Sequence, residues 1–194
     1  MGRDKARISY RGRSLLRHVV DAARSVASRV LVVGGSGEVP DGCEPVADRF
    51  PGEGPLGALI SALPHVATPW CLLLACDLPL LSPVLLGGLV AMARAHCQAE
   101  ALVPCLGGRL EPLVALYRSS LAERLEGMFR GGERALQGAC ARLDTVLVDE
   151  DALRGWDAGL DSFWNLNAPE DLASLRLRDA CGAWGVRACD SDSG

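Results

Sequence analysis

Trp70-Cys71-Leu72-Leu73-Leu74-Ala75-Cys76-Asp77-Leu78-Pro79 decides how the rest of the chain is read. Residues 71–75 form a short, unbroken apolar run with no period-2 alternation. Such a run suits a strand covered on both faces in a parallel sheet, although periodicity alone leaves a buried helix open. Pro69 before it and Pro79 after it hold its length to that of a strand. Asp77 follows two residues past the run, where the strand ends, and open α/β sheets bind ligands at the carboxyl ends of their strands. A carboxylate there can hold Mg²⁺ and so reach a bound phosphate. It equally begins a turn before Leu78-Pro79.

Outward from this stretch, strands and helices alternate. Residues 30–33 read as a β-branched strand closed by Gly34-Gly35-Ser36-Gly37, and residues 101–105, 110–117 and 145–148 as further strands. Residues 8–13 make a brief segment with Gly12 as a turn residue. Ser14 caps a helix with a one-sided stripe of Leu15, Leu16, Val19, Val20, Ala23 and Val26. Ser82-Pro83 opens a helix through about Ala95. Helices are expected over 120–129 and 134–143, and another starts at Ala168-Pro169-Glu170-Asp171. Asp149, Glu150, Asp151, Asp157 and Asp161 read as a solvated acidic loop. The alternation argues for a layered α/β domain.

Asp48-Arg49-Phe50-Pro51-Gly52-Glu53-Gly54-Pro55-Leu56-Gly57 is the second dense stretch. It is a loop, with Pro55 placed as the first residue of a helix to about Pro64. Backbone N–H groups at such a start seek acceptors on a base edge or a phosphate, although the composition also fits an ordinary loop. The glycines after residue 33 are not G-x-G-x-x-G, and no P-loop motif occurs.

Composition narrows the function further. With 194 residues, one domain with a substantial core is expected. A net charge of −4 and pI near 5.4 give no basis for general nucleic-acid binding. Pro and Gly interrupt every apolar run, so no membrane span is expected, and the N-terminus has no apolar segment of a secretory signal. The eight cysteines form no C-x-x-C pair or zinc spacing. Cys71, Cys76 and Cys105 are expected in the core, with all thiols reduced in a cytoplasm. His18, His65 and His96 lie in helical stretches and read as structural. Lys5 is the single lysine against 19 arginines, which marks a position wanting a compact ammonium, unless chance left it.

Five segments in order carry a resemblance: M-G-R-D-K-A at the start, the Asp48 to Gly57 loop, C-D-L-P-L-L from Cys76, G-R-L-E-P-L-V-A-L-Y from Gly108 and N-L-N-A-P-E-D-L from Asn165. Together they resemble the molybdenum cofactor guanylyltransferases over residues 1 to about 175. The resemblance implies a three-layer Rossmann-like nucleotidyltransferase fold with a mostly parallel central sheet over residues 1–178, with residues 179–194 a flexible tail. It implies transfer of GMP from GTP to molybdopterin cofactor with release of pyrophosphate, in the cytoplasm. Catalytic roles fall to Lys5, which would neutralise the triphosphate, and Asp77, which would hold Mg²⁺. The nucleotide would be bound by Lys5, Gly35, Asp48, Gly54, Pro55, Gly57 and Asp77, and the acceptor side built from Glu111, Pro112, Asn165 and Asn167. GTP and molybdopterin would be the partners, with transient contacts to molybdenum cofactor biosynthesis proteins or molybdoenzyme chaperones. Such chemistry needs no protein nucleophile, in keeping with the lack of a Ser-His-Asp or Cys-His constellation.

Two features depart from the family pattern. Gly35 stands where many relatives have an Asn. The family's first strand and glycine-rich turn, L-A-G-G-x-S-x-R, would precede Met1, so an upstream strand is expected. A cytidylyltransferase or other small-molecule nucleotidyltransferase remains an alternative, as does a non-catalytic binding protein that lost the glycine-rich loop.

Overall fold

The computed structural model describes residues 9–35, 39–166, 171, 173 and 175. The chain forms two compact units, Met1–Trp164 and Asn165–Gly194. The first unit opens with a hairpin, β1 (Ser9–Tyr10) and β2 (Arg13–Ser14), turned at Arg11-Gly12. Ser14 then caps α1 (Leu15–Ala23), its hydroxyl accepting from Arg17 N at 3.3 Å. β3 (Leu31–Val33) pairs in parallel with β4 (Glu44–Val46). α2 (Pro55–Ala62) runs into a 3-10 turn at Leu63–His65, and β5 (Trp70–Leu74) follows. α3 (Pro83–Ala95) is capped by Ser82, as its Ser-Pro start requires.

After α3 come β6 (Ala101–Leu106), β7 (Arg109–Leu110) and β8 (Val114–Arg118), then α4 (Ala122–Arg130), α5 (Leu136–Cys140), β9 (Thr145–Val148) and α6 (Glu150–Trp156). β5 and β6 each pair antiparallel with β8, so the two strands joined through α3 run in one direction with β8 reversed between them. β9 adds to the other side of β6 in parallel. The five-stranded sheet is therefore mixed, parallel at β6–β9 and antiparallel at β5–β8, β6–β8 and β6–β7, while β3 and β4 form a separate parallel pair. The stretch over residues 71–75 is a strand as read, but its partner is antiparallel. β6 and β8 are separated by too few residues for a helical crossover, which forces the reversal.

Successive side chains of each strand serve opposite faces. Ala101 and Val103 of β6 with Ala115 and Tyr117 of β8 pack under α2, α4 and α5. Leu102, Val114 and Leu116 pack under α1, α3 and α6. Helices on both faces explain why these strands are apolar without interruption. β8, with a strand on either side, is buried except at Arg118, whereas all five residues of β5 are only half-buried. Among the described residues, β3 pairs only with β4 and β5 only with β8, which leaves one edge of each without a ladder.

Several local expectations change. The strand expected over 110–117 is broken at Glu111-Pro112, where the missing proline N–H and a turn end β7 before β8 begins. The acidic stretch is a helix rather than a loop. Asp149 Oδ1 accepts from Ala152 N at 2.9 Å, and Glu150 and Asp151 favour the positive end of α6. α5 is shorter than 134–143 because the Glu133 carboxylate takes the Arg134 and Ala135 N–H groups and delays the helix. Cys76 is exposed rather than in the core, since it lies in the turn beyond β5. Helical backbone occurs at Asp171, Ala173 and Leu175 in the second unit; the expected tail lies outside the described residues. Among the described residues no helix is long and apolar enough to cross a membrane.

Candidate active site

Asp77 lies in a turn just beyond the carboxyl end of β5, as the turn reading expects. Leu78 and Leu81, both buried under α3, pin the turn to the core. Ser82 N donates to the buried Ser162 hydroxyl at 2.9 Å, fixing the other end. Among the described residues, the buried Asp77 Oδ1 has no hydrogen-bond partner. A carboxylate oxygen in that condition is costly to keep, at roughly 1–3 kcal/mol or more for a charged group, unless something else binds it.

Ala75 N donates to Leu113 O at 3.0 Å, which draws the turn between β7 and β8 against the end of β5. Glu111 and Pro112 therefore stand beside the segment that carries Asp77. Partial burial raises the Glu111 carboxyl above its ordinary range, and Arg109 opposes this. Pro112 O accepts from the buried Tyr117 hydroxyl at 2.9 Å, which anchors the turn between β7 and β8.

The second group of residues follows β4. Asp48 Oδ1 accepts from Phe50 N at 2.9 Å and lies 3.5 Å from Ser61 Oγ. Ser61, on α2, donates to Gly57 O at 2.8 Å and accepts from Arg49 N at 3.0 Å. This one buried hydroxyl joins Asp48, its following residue and the first turn of α2. Gly34 meets Asp48 from the other side. A Cβ there would lie 3.4 Å from Asp48 Cβ, and its φ of 66° already favours glycine. Gly35, at φ 84°, continues the same turn.

Gly54 precedes α2 at φ 86° without a side-chain cap, and Pro55 occupies the first helical position. The N–H groups of the first turn have no partners within the helix. Gly57 is required by contact, since a Cβ would come within 2.9 Å of Phe50 Cβ. Gly35, Asp48, Gly54, Pro55 and Gly57 are thus gathered through Asp48 and α2, and Asp77 with Glu111 and Pro112 through the end of β5. Asn165 is half-buried in the second unit. Lys5 and Asn167 lie outside the described residues.

Ser61 was not anticipated from the sequence. Its signal was a lone hydroxyl in the otherwise apolar run Leu56 to Ala62. Two thiols are unsuited to nucleophilic work: desolvation pushes the half-buried Cys71 up to about 11 and also raises the buried Cys140. Among the described residues no cluster of three or more His, Cys, Asp or Glu could hold a metal by itself. That is compatible with Mg²⁺, which is commonly held by one or two carboxylates together with substrate phosphates.

Residues 1–151 match the MobA-like NTP transferase domain. A probable molybdenum cofactor guanylyltransferase of Chloroflexus aggregans is 37% identical over 179 residues, covering 88% of this chain and 85% of that protein. One of Deinococcus radiodurans is 35% identical over 178 residues, covering 91% and 88%. Among solved structures, molybdopterin-guanine dinucleotide biosynthesis protein A of Archaeoglobus fulgidus is similar with a TM-score of 0.76 and 26% identity, over 94% of this chain and 92% of that one. The 2-C-methyl-D-erythritol 4-phosphate cytidylyltransferase of Thermus thermophilus shares the fold, with a TM-score of 0.68 and 21% identity over 91% and 94%. The arrangement of strands, glycine turns and carboxylates is that of a nucleotidyltransferase, and the chain belongs to the MobA-like NTP transferase family.

Proposed function

We propose that this protein transfers GMP from GTP to molybdopterin cofactor and releases pyrophosphate. The observation that carries the reading is the buried, unpartnered Oδ1 of Asp77 at the carboxyl end of β5, in a chain of this family. An oxygen in that state fits a Mg²⁺ ligand, and Mg²⁺ bound there would offset charge on the triphosphate and the departing pyrophosphate.

The terminal phosphate oxygen of molybdopterin attacks the α-phosphorus of GTP. As the new P–O bond forms, the bond to the β-phosphate oxygen breaks and pyrophosphate leaves. The chain's own part is to position two polyanions and to balance their charge, which can supply most of the acceleration. Lys5 neutralises the triphosphate. Gly34-Gly35 and Asp48 border the nucleotide, and the free N–H groups of the first turn of α2, from Gly54 to Gly57, meet the guanine. Glu111 and Pro112 contribute to the acceptor side. A cytoplasmic setting agrees with the free thiols among the described cysteines.

The test is direct. The chain is incubated with Mg²⁺, molybdopterin and either GTP or CTP, and pyrophosphate and the dinucleotide product are measured. Product with GTP and little with CTP is expected; equal or greater product with CTP would overturn the guanine assignment. Absence of either product from a chain that binds neither nucleotide would overturn the transferase reading for this chain.

A further inference from the structure

Phe50, Phe129, Arg134 and Glu53 form a closed ring of contacts in which none of the residues assigned above takes part. The Phe50 and Phe129 rings lie 4.5 Å apart between centroids, tilted by 47°. The Arg134 guanidinium stands 4.0 Å from the Phe129 centroid. Its Nε donates to Glu53 Oε2 at 2.9 Å and its Nη1 to Phe129 O at 2.6 Å. The ring thus leaves the Asp48-to-Gly57 loop at Phe50, crosses to α4 at Phe129 and returns to the loop at Glu53. Arg134 alone makes the return.

Two further contacts tie this ring to the loop's setting. Arg49 Nη2 donates to Glu126 Oε1 of α4 at 2.9 Å, and Phe50 is pressed against Gly57 in the first turn of α2. Glu53 itself sits between Gly52 and Gly54, at φ 80° and 86°. Flanked by two such glycines, this part of the loop has little conformational restraint of its own.

We propose that Arg134 is a positioning residue for the nucleotide: by joining Phe129 to Glu53 it holds the Asp48-to-Gly57 loop in the conformation that receives the base. This rests on the reading that the loop borders GTP. The Arg134–Glu53 ion pair alone would do little, because both side chains are about half exposed (48% and 50%) and such pairs contribute ~0–1 kcal/mol. The distinguishing feature is that a single planar guanidinium stacks on a ring, bonds a carbonyl and bonds the loop carboxylate. An ammonium cannot present that fork. A loop that is competent only part of the time binds its ligand more weakly in proportion to that fraction.

Arg134→Ala and Arg134→Lys, made in the full chain, are compared with wild type by GTP titration and by steady-state kinetics with molybdopterin. Arg134→Ala is expected to raise the Kd and KM for GTP about fivefold, the scale of an exposed cation–π contact with one charged hydrogen bond. The kcat and the KM for the acceptor stay near wild type. Arg134→Lys recovers part of the loss, and Glu53→Gln adds little to Arg134→Ala because both break the same link. Amides of residues 49–54 exchange faster in Arg134→Ala than in wild type before any nucleotide is added. Unchanged GTP affinity in Arg134→Ala overturns the inference, as does a loss spread equally over kcat and both substrates. Wild-type protein that binds no GTP overturns the guanylyl-transfer reading itself, which separates the two failures.

Discussion

The Ser61 hydroxyl donates to the Gly57 carbonyl one helical turn earlier and, from that position, lies 3.5 Å from Asp48 Oδ1. Helical i to i−4 bonding of a serine usually serves the helix alone. Here it also sets the loop that carries Asp48, proposed above to border the nucleotide, because Arg49 N donates back to the same oxygen. Ser61→Ala is expected to reduce stability by about 1–3 kcal/mol, the cost of leaving a hydrogen-bonding group without its partner. GTP affinity should fall with it. Urea unfolding and GTP titration of the same preparation measure the two effects.

Asp77→Asn is expected to lower transfer by about two orders of magnitude or more, the scale of losing one preorganised electrostatic contact in a transition state. The amide preserves shape, so the thermal transition should stay close to that of wild type. Turnover at saturating Mg²⁺ and a melting curve check both statements. Wild-type turnover would remove Asp77 from the metal role.

Trp156 covers Gly88 so closely that a Cβ on Gly88 would meet the indole at 2.2 Å. This contact seats α6 on α3 and involves none of the residues assigned to the chemistry. Gly88→Ala should destabilise the fold by about 1–3 kcal/mol through overpacking. Guanylyl transfer by the folded fraction at low temperature should be unaltered. Combining it with Trp156→Leu should restore part of the stability.

Glu111 gives a pH-dependent effect whose sign follows from its raised carboxyl. A carboxyl that holds its proton more tightly in the folded chain favours folding while protonated. That contribution is complete below the ordinary value of 4.5 and is lost as pH rises through the raised folded value. Glu111→Gln removes it, so the variant should gain stability relative to wild type as pH increases across this window. Melting temperatures of both proteins on one pH series test the slope. The opposite shifts at Glu44, Glu133 and Glu150 cancel in the comparison.

Much of this architecture was legible in the chain because the signals are local. Ser14 and Ser82 mark helix starts through hydroxyls that reach N–H groups three residues on. Pro55 and Pro83 mark first helical turns, where no N–H is needed. Residues 145–148 read as a strand from β-branched content and form one with the same bounds. Asp77, placed two residues beyond an apolar run, reads as a ligand-facing carboxylate by the same local logic. The acidic segment before α6 misled because charge alone suggests solvent, while the cap bond from Asp149 decides the helix.

Tertiary structure alone decided the rest. Nothing in residues 70–74 states that their partner is β8 or that it runs antiparallel, because strand pairing joins segments about forty residues apart by backbone groups common to every residue. Asp48 and Ser61 are 13 positions apart, and Glu53 and Arg134 are 81 apart. Their meeting depends on how α2 and α4 pack over one face of the sheet. The sequence by itself determined which segments are strands and helices and where the chemistry-bearing residues stand at their ends, since both follow from side-chain period and short-range bonding. Packing decided which of those residues share a site, since contacts between distant segments are set by the shape and burial of the assembled layers.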